Sequence, residues 1–292
     1  MAEAGFIAVD WGTSRLRAYL VDGAGSVTGR VGAEDGMAKV APGAFAATLA
    51  RHIATWDRSL PVIMAGMVGS RNGWREAPYA ACPADAAAIL SGALRLDAEA
   101  GRPVWLLPGL SCRNDGVFDV MRGEETLILG AGLRDGLVIL PGTHSKWAVL
   151  RRGRIVSFRT FMTGEFYGLF RERSILRLLA KEPEAPTGYA KGLAAAGRSG
   201  GLTHLAFSAR TGVLAGDLAP EEVLPYLSGL LIGGEVLNAA SAPEPAVLVA
   251  EGTIATTYLE ALAAAGFSAS VVAPEAAFIA GIGVARAAGL GG

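Results

Sequence analysis

The sequence predicts an α/β protein built from two copies of one domain, and three observations carry that expectation. The 292 residues exceed the usual size of a single hydrophobic core. Strand patterns interleave with helical ones, which calls for a mixed sheet covered on its faces. One stretch also recurs at a fixed offset. Gly12-Thr13 matches Gly142-Thr143, Ala18 matches Ala148, Leu20 matches Leu150 and Gly23 matches Gly153, all 130 positions apart (142 − 12 and 153 − 23) without a gap. A long-period repeat of strand, Gly-Thr turn and hairpin suggests a duplicated unit. The expected units are 1–120 and 121–292. They join through helices near Glu124–Leu133 and near the C-terminus, the last helix being able to return to the first unit.

The elements follow in order. Phe6–Val9, Leu16–Val21 and Ser26–Val31 read as an antiparallel meander, with Asp22-Gly23-Ala24-Gly25 as its turn. Ala44–Trp56 reads as a helix, Pro61–Ala65 as a buried strand, Asp85–Leu94 as a helix and Pro103–Leu107 as a strand. The pattern restarts with strands Leu137–Leu140, Trp147–Leu150 and Ile155–Phe158, the last two joined by Arg151-Arg152-Gly153. Gly188–Gly201 reads as a loop. Ala246–Ala250 is a third strand that runs into glycine, followed by helices Ile254–Ala265 and Ala276–Ala288.

Composition narrows the function. Hydrophobic residues make up 51% and charged residues 18%, which fits packed cores and argues against disorder. Lys and Arg number 26 against 27 Asp and Glu, so no strong field steers nucleic acid or an anionic membrane. A small molecule is the expected partner, and a homodimer is open to the chain. Cys82 and Cys112 lack metal-type spacing and are expected as reduced, partly buried thiols. Met1–Gly5 carries Glu3 and no basic residue, unlike a signal peptide. Leu227–Gly234 and Ala276–Ala285 are too short to span a bilayer. A cytoplasmic enzyme is expected.

Three glycine junctions carry the chemistry. In Asp10-Trp11-Gly12-Thr13-Ser14 a carboxylate ends an apolar strand, where the sheet does not need it. Gly12 permits a sharp turn that brings amide N–H groups to a phosphate, and Thr13 and Ser14 add hydroxyls. Asp10 is a candidate for Mg²⁺ through water, beside substrate phosphates. An ordinary Asp-Gly hairpin turn is the other reading. The second copy holds Gly142, Thr143, His144, Ser145 and Lys146, where Lys146 supplies a point charge. His144 is either a phosphate donor or a satisfied core histidine. At Gly233-Gly234 and Gly252-Thr253, glycine permits approach of an adenine and ribose, or equally close helix packing. No G-x-x-x-x-G-K-[ST] is present, and Gly281-Ile282-Gly283 lacks the third glycine of a dinucleotide fingerprint.

Phe6–Asp22 and Leu137–Leu150 resemble the two phosphate hairpins of the actin/hexokinase/Hsp70 superfamily, and Val247–Leu259 resembles its adenosine motif. The chain as a whole is similar to the 2-dehydro-3-deoxygalactonokinase family. Residues 9–14, 65–71, 73–79, 121–126, 141–147 and 161–165 carry that likeness, and Met67–Tyr79 and Arg122–Thr126 are its most specific segments. The resemblance implies two ribonuclease H-like lobes with a nucleotide cleft between them. It also implies transfer of a phosphoryl group from ATP, with Mg²⁺, to the C6 hydroxyl of 2-dehydro-3-deoxy-D-galactonate. In related sugar kinases the catalytic base lies just before or at the start of the linking helix, which maps to Asp119–Glu125. Glu124 is the first choice, with Asp119 and Glu125 as rivals; helix-start ion pairs are the bland reading. The substrate carboxylate calls for a guanidinium, for which Arg71, Arg75 and Arg122 are candidates. Ser70, Asn72, Trp74 and Glu165 are candidates for the rest of the sugar acid. The alternatives are another sugar or sugar-acid kinase of this fold, an exopolyphosphatase-like hydrolase, and a nucleotide-gated interaction protein.

Overall fold

The computed structural model describes residues 5–97, 102–181, 187–239, 242 and 244–290. Of the N-terminal stretch weighed above as a leader, residues 1–4 lie outside them. The chain divides into two compact units. The first takes in Met1–Asp135, Ala148–Phe158 and Val272–Gly292, the second Gly136–Trp147 and Arg159–Val271. The division falls after Asp135, not at 120, because the helix that starts at Glu124 packs within the first unit.

Strands β1 (Phe6–Trp11), β2 (Leu16–Val21) and β3 (Val27–Ala33) open the chain. Next come α1 (Phe45–His52), β4 (Val62–Ala65), β5 (Tyr79–Ala81) and α2 (Ala86–Leu90). Then follow β6 (Leu94–Asp97), β7 (Pro103–Leu106), β8 (Gly109–Asn114), β9 (Val117–Met121) and α3 (Glu124–Gly130). The pattern restarts with β10 (Gly136–Leu140), β11 (Ser145–Arg151) and β12 (Arg154–Phe161). Four helices succeed them: α4 (Thr163–Arg173), α5 (Thr187–Ala196), α6 (Gly201–Ala215) and α7 (Val223–Ala239). The chain continues through β13 (Ala246–Val249), α8 (Gly252–Ala264), β14 (Ala269–Val272) and α9 (Pro274–Ala287).

Two sheets share one order. The first runs β3-β2-β1-β4-β7-β6 and the second β12-β11-β10-β13-β14. In each, the first strand of the meander pairs in parallel with the strand that returns after the helices, β1 with β4 and β10 with β13. This is the ribonuclease H-like order, present twice. The repeat ends at the second hairpin. The β2–β3 turn is wide and held by Asp22, whose Oδ1 accepts from the N–H groups of Ala24 and Ser26. The β11–β12 turn is only Arg152-Gly153, both at positive φ.

The period of two along β1 sorts its side chains onto two cores. Ile7, Val9 and Trp11 face a cluster with Phe45 and Leu49 of α1. Phe6 and Ala8 face the opposite cluster, which includes Phe278 and Ile282 of α9 and Leu127 of α3. By the same alternation Asp10 falls on the α3 and α9 side. That puts a carboxylate at the end of a strand buried on both faces.

Three expectations are corrected. The helix expected over Asp85–Leu94 stops at Leu90, after Asp85 caps it through Ala88 N–H, and the chain turns into β6. Gly188–Gly201 is not a loop but holds α5. Its glycines mark a close helix crossing: a Cβ on Gly192 would fall 2.1 Å from the Tyr226 carbonyl oxygen of α7. A third sheet, β5-β8-β9, was not expected. Among the described residues, no helix is long and apolar enough to cross a membrane.

Candidate active site

In the first unit the turn between β1 and β2 is narrow. Gly12 N–H donates to the Arg15 carbonyl at 2.9 Å. The carbonyls of Gly12 and Thr13 accept from Met37 and Ala38 N–H at 3.0 and 3.1 Å, in a short 3₁₀ turn, Met37–Lys39. Gly36 lets that segment lie against the turn, since a Cβ there would meet Ser14 C at 2.1 Å. With these carbonyls drawn to one side, Thr13 and Ser14 remain open to solvent and Gly12 is half-buried.

Asp10 stands opposite Arg17 across the hairpin, and Arg17 Nη1 donates to Asp10 Oδ2 at 3.1 Å. Burial raises the pKa of Asp10; Arg17 opposes that rise and the negative charge of Glu124 adds to it. Two glycines bring these carboxylates together. Gly66 ends β4 at φ 106, and a Cβ there would meet Trp11 O at 2.9 Å and Asp10 Oδ1 at 3.4 Å. Gly123, at φ 107, would place a Cβ 3.0 Å from Gly66 Cα. The start of α3 therefore lies against the end of β4.

The two glutamates at that helix start differ. Glu124 is half-buried, and its Oε2 accepts from Arg122 N–H at 3.0 Å. Glu125 is buried, and both its oxygens accept from Gly123 N–H, at 2.9 and 2.8 Å. Burial, then the charge of Glu124, pushes its pKa up to about 7.

Residues 66–79 form a tight loop above β4. Trp74 N–H donates to Val68 O and Ala77 N–H to Gly69 O, both at 2.9 Å. Arg71 and Arg75 project to solvent, with Arg71 Nε 3.5 Å from Glu76 Oε2. Asn72 is exposed, and Ser70 Oγ lies 3.5 Å from Met37 Sδ. Trp74 packs edge-on to Trp11 and stacks on Phe45 at 6.3 Å, so it anchors the loop on the core. Arg122 is buried, with its guanidinium 4.2 Å from the Tyr79 ring centroid and Nη2 donating to Ala77 O at 2.9 Å. It clamps the loop from beneath.

In the second unit the turn Gly142–Ser145 is covered by the start of α4. Glu165 N–H donates to Thr143 O at 3.0 Å, and a Cβ on Gly164 would fall 2.4 Å from Gly142 O. Thr143 and His144 are exposed, and His144 Nε2 pairs with Glu165 Oε2. Ser145 and Lys146 are buried; the Lys146 ammonium donates to His144 O at 3.3 Å. A cavity of about 320 Å³ adjoins this turn, lined by Gly142, Gly164, Tyr167, Ser228, Thr253 and Thr257 among others. Its size suits a small ligand. Gly252, at φ 60, begins α8 beside it, and no side chain caps that helix.

The match to known proteins spans this whole arrangement. The family model described as 2-keto-3-deoxy-galactonokinase matches residues 10–285. The chain belongs to that family. It is 36% identical to the 2-dehydro-3-deoxygalactonokinase of Escherichia coli (strain K12) over 286 residues, covering 96% of each chain. A Rhizobium meliloti (strain 1021) protein described in the same terms is 36% identical over 303 residues, covering 99% of each. The crystal structure of a Sinorhizobium meliloti protein so described superposes with a TM-score of 0.87 at 35% identity, covering 97% of this chain and 96% of that one.

The sites expected of a 2-keto-3-deoxy-galactonokinase fall into groups. Asp10 and Glu124 come together with Gly12, Thr13 and Ser14. Gly142 and Thr253 line one cavity. Gly233 does not join them: a Cβ there would meet Ala196 Cβ at 2.8 Å, so it serves the α5–α7 crossing. Gly234 lines a separate cavity of about 340 Å³ with Phe161, Met162 and Arg198. Asp119 lies on β9 opposite Cys112, its Oδ1 accepting from Val120 N–H, not on the linking helix. The carboxylate of Glu235 was missed. It is buried on α7 and bonded to Trp147, Thr163 and Tyr258. A glutamate inside an apolar helical run is the signal that could have found it.

Proposed function

We infer that the chain is an ATP-dependent kinase acting on 2-dehydro-3-deoxy-D-galactonate at its C6 hydroxyl, a cytoplasmic step in galactonate breakdown. The observation that carries this reading is the approach of Asp10 and Glu124 at one strand end, in a chain of this family. Glu124 is the base. It is half-buried, whereas Glu125 has both oxygens engaged by Gly123 N–H. A carboxylate held beside the attacking hydroxyl accepts its proton as the phosphoryl group transfers. The amide N–H groups of the Gly142–Ser145 turn, beside that unit's cavity, would receive phosphate oxygens of the nucleotide. Thr253 lines the cavity that would take the nucleoside, and Gly252 precedes it at the start of α8.

Arg71 and Arg75 are exposed on a loop that Trp74 and Arg122 hold firm, which suits them to the substrate carboxylate. The residues present fit Mg²⁺. The absent side chain of Gly66 leaves room beside Asp10 Oδ1, and Mg²⁺ takes few protein carboxylates when phosphates and water complete its shell. Asp10 would hold it, and the ion would neutralise phosphate charge when bound.

The test is ADP release with MgATP and 2-dehydro-3-deoxygalactonate, 2-dehydro-3-deoxygluconate, glucose or no sugar. A rate restricted to the keto acids and greatest for the galacto form is expected. Glu124→Gln should lower kcat by about 10²–10⁴-fold. A rate independent of sugar, or a preference for glucose, would overturn the assignment.

A further inference from the structure

Glu235 has 3% exposure, and each of its partners comes from a different element. Trp147 of β11 donates its indole N–H to Oε1 at 2.7 Å. Tyr258 of α8 donates its hydroxyl to Oε2 at 2.9 Å, and Thr163 of α4 donates to the same oxygen. Ser145 Oγ lies 3.0 Å from the Tyr258 hydroxyl. Burial raises the pKa of Glu235, and these donors pull it back.

With Glu235 ionised, as three donors converging on it favour, the donor inventory sets the direction of every bond. An indole N–H can only donate, and an ionised carboxylate can only accept. Tyr258 must therefore direct its proton to Glu235. That leaves only lone pairs for Ser145, so the Ser145 hydroxyl points its proton inward. Ser145 closes the Gly142–Ser145 turn, and its side chain has 0% exposure. Thr163 starts the helix that covers the turn, and Thr163 and Tyr258 both line the cavity that Gly142 and Thr253 share.

We propose that Glu235 is a positioning residue for the nucleotide: it fixes the polarity of the chain Ser145–Tyr258–Glu235–Thr163, and so locks the turn with its N–H groups free for phosphate. The inference rests on reading this turn and cavity as the nucleotide site. Glu235 touches no substrate; it acts through Ser145 and Thr163. On this account the Ser145 hydroxyl belongs to the scaffold, and only the backbone of the turn meets the ligand.

Glu235→Gln keeps the shape and reverses the polarity. Its carbonyl must face Trp147, so its NH₂ faces Thr163 and Tyr258. Tyr258 must then donate to Ser145, whose proton turns away from the core. The experiment is calorimetric titration of Mg²⁺ and ADP into wild type, Glu235→Gln, Tyr258→Phe and the double variant. It is paired with KM for ATP, KM for the sugar acid, kcat, and melting of the free proteins. Glu235→Gln should weaken ADP binding and raise KM for ATP by roughly tenfold, the worth of one hydrogen bond to a charged group. KM for the sugar acid and kcat should stay within about twofold. Tyr258→Phe should weaken ADP binding by less, and the double variant should not add the two effects.

A lowered melting temperature with ADP affinity unchanged would make Glu235 a merely structural group and overturn the proposal. If Glu235→Gln does not fold, Tyr258→Phe and Ser145→Ala carry the same test, and wild-type ADP affinity in both overturns it. Wild-type protein that binds no ADP would instead overturn the nucleotide reading, and this inference with it.

Discussion

The two Gly-Thr turns share a backbone and differ in what surrounds them. In both, a carbonyl of the turn is drawn back by a following segment, Met37–Ala38 in the first unit and Glu165 in the second. In both, a glycine of that segment, Gly36 or Gly164, sits where a Cβ would strike the turn. The strand ends before them diverge. Position 10 is Asp, and its counterpart 130 positions on is Leu140, which is 6% exposed. Arg17, the cation that faces Asp10, corresponds to Trp147. The two units share the braced turn, and only the first has a carboxylate at the strand end before it.

Exchanging the two strand ends should break this comparison most severely. Asp10→Leu should keep the fold, because the site lies at a strand end, and lower kcat by at least roughly a hundredfold. Leu140→Asp should do the reverse. It puts a carboxylate in a buried apolar position, and should cost at least about 3 kcal/mol in urea unfolding. Equal stability of the two variants would show that the strand ends are interchangeable.

The next effect concerns pH and a buried glutamate of the first unit. Glu125 has a folded pKa of about 7 against an ordinary 4.5. Between these values the folded state holds the proton more tightly than the unfolded one. Stability should therefore fall as pH rises from about 4.5 to 7, by a few kcal/mol at most. Glu125→Gln should flatten that part of the curve. An unchanged slope in the variant would place the titration elsewhere.

Gly36→Ala and Gly164→Ala test whether the two braces are equivalent. Each should destabilise by about 1–3 kcal/mol, since the new methyl meets backbone and not a movable side chain. Gly164→Ala should also weaken ADP binding. The smallest effect belongs to Cys82, outside both turns. Burial pushes its thiol up to about 12, so iodoacetamide should modify it slowly at pH 8. Fast labelling would contradict its burial.

The fold was legible where local chemistry and tertiary role agree. The apolar runs beside the two Gly-Thr turns are buried strands, as read, although Gly12 and Gly142 themselves lie outside the positive-φ region and a Cβ on either would meet nothing nearer than 3.7 Å. The hairpin of β8 and β9 was also written in the chain, as Asp115-Gly116, both at positive φ. Asp119 reads as a rival base because it precedes the α3 start by only five residues, yet it belongs to this hairpin. The helices of the second unit were harder to read. α7 is buried on nearly every side, so its sequence lacks the polar face that reveals an amphipathic helix. Its glycines suggested a nucleotide because close helix packing and close ligand approach demand the same residue. The pairing of Glu124 with Asp10 could not be deduced from spacing, since it depends on Gly66 and Gly123 meeting across the fold.

The crossing of α3 and α9 has a consequence for how the protein is made. A Cβ on Gly130 would fall 1.9 Å from the Ala277 carbonyl oxygen, and one on Gly281 would fall 1.9 Å from that of Thr126. The helix that presents Glu124 is therefore seated on a helix synthesised some 150 residues later. A ribosome delivers the chain in order, so β1, β4 and α3 emerge long before the surface that completes their core. The first unit begun is thus the last to be sealed, and a nascent chain halted before residue 274 would carry Glu124 on an unfinished wall.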